Sequence, residues 1–211
     1  YLDSVMDLWG DKIVERSAMR KEVDRCREAL ARARSGDDVA LLCSGDAGVY
    51  GMAGLVLELA HEEGAAPSVE IVPGVTAANA AGASLGAPLM LDYAVVSLSD
   101  LLVPWERICH RLDCLARADM PVVLYNPRSK GRTKQIEVAR SIFLAHRPRT
   151  THVAVVTAAS TEDETRAVSD LDRFLSLEIG MRSVVVVCGS DARVLGGRIV
   201  APRGYRLEDA A

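Results

Sequence analysis

Short, mostly apolar segments recur along the whole chain, and several are followed by a turn and then by a helical pattern. Examples are the segments that end at Cys43, Val72 and Tyr125. Strands with apolar side chains throughout are typical of parallel sheets whose two faces are both covered by helices. The alternation therefore predicts an α/β fold with mainly parallel strand pairing.

Turn and capping residues place the boundaries of these elements. We predict strands at 39–43, 69–72, 94–100, 122–125, 152–156 and 183–188. We predict helices from Ser17 to Gly36, from Val49 to His61, from the cap Thr76 to the Gly86-Ala87-Pro88 exit, after Pro104, and from Thr133 to Ala145. That exit divides one set of strands and helices from the next. We expect two α/β domains, 1–91 and 92–211.

Composition and charge exclude several classes of protein. The 211 residues are 49% hydrophobic and carry a net charge of -4, which argues against a general nucleic-acid binder. The five cysteines form no C-x-x-C pair and the four histidines are scattered, so we expect reduced thiols and no metal site. No signal peptide and no run of about 18 apolar residues is visible. These features favour a soluble, cytoplasmic protein that does not enter a membrane.

The first turn has the sequence SGDAGVYG at 44–51 and precedes an apolar helical pattern. Its glycines are three apart, so it matches neither the G-x-G-x-x-G fingerprint nor a P-loop. Asp46 would repel a phosphate but would accept hydrogen bonds from ribose hydroxyls or face an ammonium group. The plainer alternative is that Asp46 only caps the helix that follows.

Four turns follow predicted strands, and ligands collect at the carboxyl ends of strands in open α/β sheets. The turns are 44–48, 73–77, 125–127 and 157–160. None contains a nucleophile beside a base, which favours binding and orientation over covalent catalysis. The loop RSKGRTK at 128–134 adds four positive charges. They are suited to substrate carboxylates, although such a run is more often a solvated loop.

Together these stretches resemble the tetrapyrrole (precorrin) methylases. The resemblance rests on SGDAGVYGMAGL, VEIVPGVTAANAAGASLGAPL, VSLSDLLVPW and LYNPRSKGR, and it spans nearly the whole chain. It is strongest to the members that methylate C17 of precorrin-3B. The resemblance implies two α/β domains, S-adenosylmethionine as methyl donor in a cleft between them, a tetrapyrrole substrate and a homodimer.

The resemblance also assigns residues to roles. In the family, a Gly-Asp-Pro turn contacts the cofactor, and here Ala47 replaces its proline. The positions that match cofactor-binding ones are Gly45, Asp46, Val49, Tyr50, Thr76, Ala77, Tyr125, Asn126 and Ala159. The candidates for substrate binding are Ser97, Ser99, Asp100, Arg128, Lys130 and Arg132. For the two serines, local hydrogen bonding within the turn is an equal alternative.

Two features depart from the family pattern. The family begins with a strand and a Gly-x-Gly-Pro-Gly loop upstream of the position that matches Tyr1, so we expect the N-terminal domain of this chain to lack them. The turn TAAS at 157–160 also lacks the commoner asparagine. The first difference concerns the floor of the active site, and the second concerns the assignment of Ala159.

The implied reaction transfers a methyl group to C17 of precorrin-3B and contracts the macrocycle to give precorrin-4. The substrate supplies its own nucleophilic carbon, so no general base is assigned. Alternatives within the fold are another precorrin methylase and a diphthine synthase. A non-catalytic protein that binds adenosylmethionine or a tetrapyrrole is the alternative from another class. A dinucleotide-dependent oxidoreductase ranks last because its fingerprint is absent.

Overall fold

The structure, a computed structural model, describes residues 2–16, 21–62, 64 and 67–205. The chain divides into two compact units, Tyr1–Thr76 and Ala77–Ala211. A domain joint at about residue 91 stays a prediction.

Helices dominate the first unit. It contains a 3-10 helix at Leu2–Leu8 and the helices α1 (Glu22–Arg34) and α2 (Ala53–Glu62). Cys26 and Leu30 are one turn apart on α1, so they share a face and pack against Leu59 of α2. Helix α1 ends where Gly36 adopts a φ of +101°, as predicted.

Three predictions for the first unit need correction. The segments 39–43 and 69–72 are not strands, because no backbone ladder partner lies beside them among the described residues. Apolar side chains in these segments are therefore exposed, and Val72 is 71% exposed. Helix α2 begins at Ala53 and not at Val49, since residues 49–52 form bends. The predicted helix start at 17–20 lies outside the described residues.

The second unit holds the β-structure of the described chain. Its helices are α3 (Ala77–Leu85), α4 (Trp105–Arg117) and α5 (Gln135–Leu144), with a 3-10 turn at Phe174–Ser176. Its strands are β1 (Gly86–Ala87), β2 (Ala94–Ser97), β3 (Val122–Tyr125), β4 (His152–Thr157), β5 (Thr165–Asp170), β6 (Ser183–Val187), β7 (Arg193–Leu195) and β8 (Arg198–Val200). One sheet has the order β2-β3-β6-β4-β5 and the other the order β1-β8-β7.

The central strands β3, β4 and β6 of the five-stranded sheet are apolar on both faces, as predicted. Val122 and Leu124 of β3 pack into a core with Ile108 and Leu112 of α4 and Phe143 of α5. Strands β4 and β6 are also in contact with α3, whose alanines allow a close approach. Among the described helices, none has the length and apolar content to cross a membrane.

Mainly parallel pairing was the wrong prediction for this sheet. Only β2 and β3 pair in parallel, while β6 is antiparallel to β3 and to β4. Strands β3 and β4 do run in the same direction, as a strand–helix–strand unit requires, but β6 lies between them. A crossover helix determines the relative direction of two strands and leaves open whether they are neighbours.

The smaller sheet was not predicted from the sequence. Its strands have two or three residues, which is too short for a periodic signal. Gly86 has a φ of +123°, and a Cβ there would lie 2.8 Å from the carbonyl oxygen of Ile199. Glycine is therefore required where β1 meets β8.

Candidate functional site

Asp46 fastens two turns of the first unit to each other. Its Oδ1 accepts a hydrogen bond from the Gly48 amide at 2.8 Å, and its Oδ2 accepts one from the Gly74 amide at 2.9 Å. The first bond closes the turn 44–48 on itself, and the second joins this turn to the Pro73-Gly74 turn. The side chain does not cap α2, because that helix begins seven positions further on, at Ala53.

Glycine is required where these two turns meet. A Cβ on Gly74 would lie 2.1 Å from the carbonyl oxygen of Gly45, and one on Gly51 would lie 2.4 Å from that of Ala47. Gly45 has a φ of +73°, which favours glycine. Backbone atoms of Gly45 and Gly74 therefore meet between the two turns, beside the hydrogen bond from the Gly74 amide to the Asp46 carboxylate. The sequence showed Gly74 as a turn residue, but no pattern indicated its close approach to Gly45.

The backbone amides also determine the charge of Asp46. The hydrogen bond from Gly74 holds the pKa of this carboxyl below its usual range, and the bond from Gly48 adds to the effect. Both amides favour the ionised form. The turn therefore carries a negative charge at neutral pH.

Substituting Asp46→Asn is expected to lower the urea midpoint of unfolding at pH 7, because the amide nitrogen cannot accept a hydrogen bond from a backbone N–H. A lowered folded-state pKa stabilises the protein above the unfolded pKa of about 3.9, and this stabilisation is lost as the pH falls through the folded value. The difference between wild type and variant should therefore be largest above about pH 5 and shrink in acid. Unfolding curves across this pH range measure it, with Asp38→Asn, at an exposed position, as control. A difference independent of pH would contradict the assignment.

Val49 and Tyr50 complete the turn. The Val49 amide donates to the Asp46 carbonyl at 3.3 Å. Tyr50 has a φ of +54° and its side chain is 58% exposed. A bulky residue in the left-handed region is uncommon and marks a constrained backbone. Gly45, Asp46, Val49 and Tyr50 thus all precede α2 in one irregular segment, whereas the sequence predicted Val49 and Tyr50 within the helix.

In the second unit, Tyr125 joins the end of β3 to the start of α3. Its hydroxyl oxygen accepts a hydrogen bond from the Ala78 amide at 2.6 Å. This amide is one of the first N–H groups of α3, which have no partner inside the helix. Ala77 and Tyr125 are therefore brought together, and Thr76 is the residue immediately before the helix.

The ends of β2 and β3 carry a network of four predicted site residues. The Asn126 side-chain amide donates to the Ser97 hydroxyl at 3.0 Å, and the Ser99 backbone amide donates to the same oxygen at 3.2 Å. Arg132 donates through Nε to the Asn126 carbonyl at 3.0 Å and through Nη1 to the Ser99 hydroxyl at 3.4 Å. Asn126 has a φ of +51°, a conformation that asparagine tolerates.

The remaining substrate candidates lie around this network. Asp100 accepts a hydrogen bond from the Gln135 side chain at 3.0 Å, at the start of α5. Lys130 is exposed. The Nε of Arg128 is buried, and no described residue gives it a hydrogen-bond partner.

The loop around Ala159 is held by a residue that the sequence analysis missed. Ala158 and Ser160, on either side of Ala159, have φ values of +53° and +61°. Glu164 accepts hydrogen bonds from the Ser160 amide at 2.6 Å and from the Ser84 hydroxyl of α3. The Ser84 bond, followed by the Ser160 bond, lowers the pKa of Glu164. An acid in the polar run TEDET has no periodic signal that would distinguish it.

Comparison with known proteins identifies the family. The family model described as Tetrapyrrole (Corrin/Porphyrin) Methylases matches residues 3–174. The chain belongs to this family of tetrapyrrole methylases. A relative from Salmonella typhimurium, named "Probable cobalt-factor III C(17)-methyltransferase", is 41% identical over 98% of this chain and 86% of its own length. The "Precorrin-3B C(17)-methyltransferase" of Sinorhizobium sp is 39% identical over 92% of this chain and 78% of its own length.

Two further comparisons concern length and fold. The chain spans 39% of the "Cobalt-factor III methyltransferase" of Priestia megaterium, to which it is 40% identical. The crystal structure of the methyltransferase CobJ superposes with a TM-score of 0.84 at 33% identity, over 96% of this chain and 86% of that one. The mixed α/β fold is thus the fold of a tetrapyrrole methylase, as predicted. Among the described residues, no group of three or more His, Cys, Asp or Glu side chains is placed to hold a metal.

Proposed function

We propose that this chain is an S-adenosylmethionine-dependent methyltransferase of cobalamin biosynthesis that methylates C17 of precorrin-3B and contracts the ring to give precorrin-4. The observation that carries the proposal is the 39–41% identity, over more than nine-tenths of the chain, to relatives named as C17-methyltransferases. Those names include both a cobalt-containing and a cobalt-free substrate. The proposal covers either form of the macrocycle.

The turn around Asp46 fits the methyl donor. Two backbone amides use one acceptor position on each carboxylate oxygen, and an ionised carboxylate offers about four such positions. Ribose hydroxyls or the ammonium group of the donor can therefore bind without displacing the bonds that fasten the turns. When bound, S-adenosylmethionine supplies an electrophilic methyl group. The proposed binding residues are Gly45, Asp46, Val49, Tyr50, Thr76, Ala77, Tyr125, Asn126 and Ala159.

The chain's own contribution to the reaction is orientation. The four turns contain polar groups that are already tied to backbone atoms, as in the bonds between Asp46 and Gly74 and between Tyr125 and Ala78. Groups held in this way lose little freedom when a ligand binds. Alignment of reacting atoms can lower a barrier by about 7 to 11 kcal/mol at best. We assign no general base.

A tetrapyrrole with many carboxylates fits the segment after β3. Arg128, Lys130 and Arg132 place three cations within five residues of a chain whose net charge is -4. The proposed substrate-binding residues are these three with Ser97, Ser99 and Asp100. The homodimer implied by the resemblance and the cytoplasmic location favoured by the sequence composition are also proposals, and the molecular mass in solution tests the first.

Two measurements test the proposed function. Calorimetric titration of the whole chain with S-adenosylhomocysteine should show saturable binding that Asp46→Ala weakens at least about tenfold. Incubation with S-adenosylmethionine and either precorrin-3B or cobalt-factor III should give a product that has gained one methyl group at C17. Binding without transfer to either substrate would contradict the proposal and favour a carrier or a methylase for another ring position.

A further inference from the structure

The segment that follows β3 contains two arginines with different environments. Arg132 is engaged inside the protein, with Nε bonded to the Asn126 carbonyl and Nη1 to the Ser99 hydroxyl. Its backbone also pairs with that of Ser129 through bonds of 2.9 and 3.2 Å. These contacts close the loop 126–132 on its own first residue.

The residue that Arg132 holds is conformationally unusual. Asn126 has a φ of +51°, a left-handed conformation that persists only where surrounding contacts impose it. Arg132 binds its carbonyl from one side, and Ser97 binds its side-chain amide at 3.0 Å from the other. Loss of Arg132 would release the carbonyl, so this arginine sets the orientation of the Asn126 backbone.

Arg128 has no comparable role. No described residue accepts a hydrogen bond from its Nε, although this atom is shielded from solvent. Within the described part of the chain, no carboxylate forms an ion pair with Arg128 either. A shielded, unpaired guanidinium donor is unfavourable, and a carboxylate that binds Nε and one Nη side-on removes that penalty.

We propose that the two arginines have separate functions: Arg128 binds a carboxylate of the tetrapyrrole, and Arg132 is a positioning residue that holds Asn126 against the methyl donor. This inference rests on the proposed function and divides the three cations of the segment, because it reassigns Arg132 from direct binding of the substrate to positioning of Asn126. Lys130 is exposed, so water screens its charge. An ion pair between Lys130 and a substrate carboxylate therefore contributes little to binding.

Two variants and two ligands test the division. Arg128→Gln should raise the KM for precorrin-3B at least tenfold and leave the Kd for S-adenosylhomocysteine within twofold of wild type. Arg132→Gln should weaken the affinity for S-adenosylhomocysteine and lower kcat, and it should change the KM for precorrin-3B little. Arg111→Gln on α4 removes the same charge from an exposed position and is the control. Arg128→Lys, which keeps the charge but loses the side-on geometry, should fall between wild type and Arg128→Gln.

Different results would contradict the proposed function, the role of Arg128 and the role of Arg132. A wild-type chain that does not methylate precorrin-3B or cobalt-factor III contradicts the proposed function itself. If the wild type is active, an unchanged KM in Arg128→Gln overturns the role of Arg128. An Arg132→Gln variant that raises KM and leaves the affinity for S-adenosylhomocysteine intact overturns the positioning role. If Arg132→Gln lowers the thermal midpoint of unfolding, Arg132→Lys is the second variant. Its lysine keeps one donor for the Asn126 carbonyl, so we expect a kcat between those of Arg132→Gln and wild type.

Discussion

Substituting Gly74→Ala is expected to destabilise the first unit by about 3 kcal/mol and to weaken binding of S-adenosylhomocysteine about a hundredfold. The new methyl group would lie 2.1 Å from the Gly45 carbonyl oxygen, so the two turns must separate. Separation breaks the hydrogen bond between the Gly74 amide and Asp46 and exposes the turn to which the methyl donor is assigned. Urea unfolding and calorimetric titration measure the two effects.

Gly54→Ala is the matched control for this substitution. Gly54 is in α2, and no atom of a described neighbour lies within 4 Å of a Cβ built there. Alanine has the higher helix propensity, so this variant should gain up to about 1 kcal/mol. A Gly74→Ala variant as stable as the control would show that the turns do not meet as described.

The second large effect is expected for Arg147→Met. The Arg147 side chain is 1% exposed and donates to four backbone carbonyls, those of Leu115, Ala116, Met120 and Cys188, at 2.7 to 3.2 Å. Burial lowers the pKa of Arg147, and the carboxylate of Asp119 at 3.6 Å opposes the shift. Methionine fills much of the same volume but removes the side-chain donor from all four carbonyls, of which those of Leu115 and Ala116 keep a backbone N–H donor. We expect a loss of about 4 kcal/mol in the free energy of unfolding.

Arg149→Met tests whether charge alone explains that loss. Arg149 is 74% exposed and pairs with Asp172 at 2.6 Å. An exposed ion pair contributes less than about 1 kcal/mol, so this variant should unfold near the wild-type urea concentration. Equal losses in the two variants would contradict the role given to the four carbonyls.

The buried strands of the second unit were predictable, whereas the two strands predicted for the first unit are absent among its described residues. The apolar runs at 122–125 and 183–187 became strands because each has neighbours on both sides. The run at 39–43 has the same composition but no pairing partner among the described residues. Apolar character predicts burial, and a strand also needs a second backbone.

The turns of the candidate site were predictable in position but not in contact. Asp46 and Asn126 stood out because they follow apolar runs, and both lie at turns as expected. Their hydrogen-bond partners Gly74 and Arg132 depend on how separate chain segments pack in the fold. The spacing of residues in the sequence does not encode this packing. The edge strand β5, with the sequence TRAVSD, was missed because its polar residues hide the alternation.

Strand β6 shows which contacts determine the register of the strands in this sheet. It contains four consecutive valines, and its neighbours β3 and β4 present valines at paired positions such as Val122 and Val153. A slip by two residues would place valine on valine again with the same faces buried. Polar contacts distinguish the native alignment at the two ends, where Ser183 bonds Thr157 at 2.7 Å and Arg147 bonds the Cys188 carbonyl at 2.9 Å. Folding specificity in this sheet therefore resides in groups that add little to its apolar core.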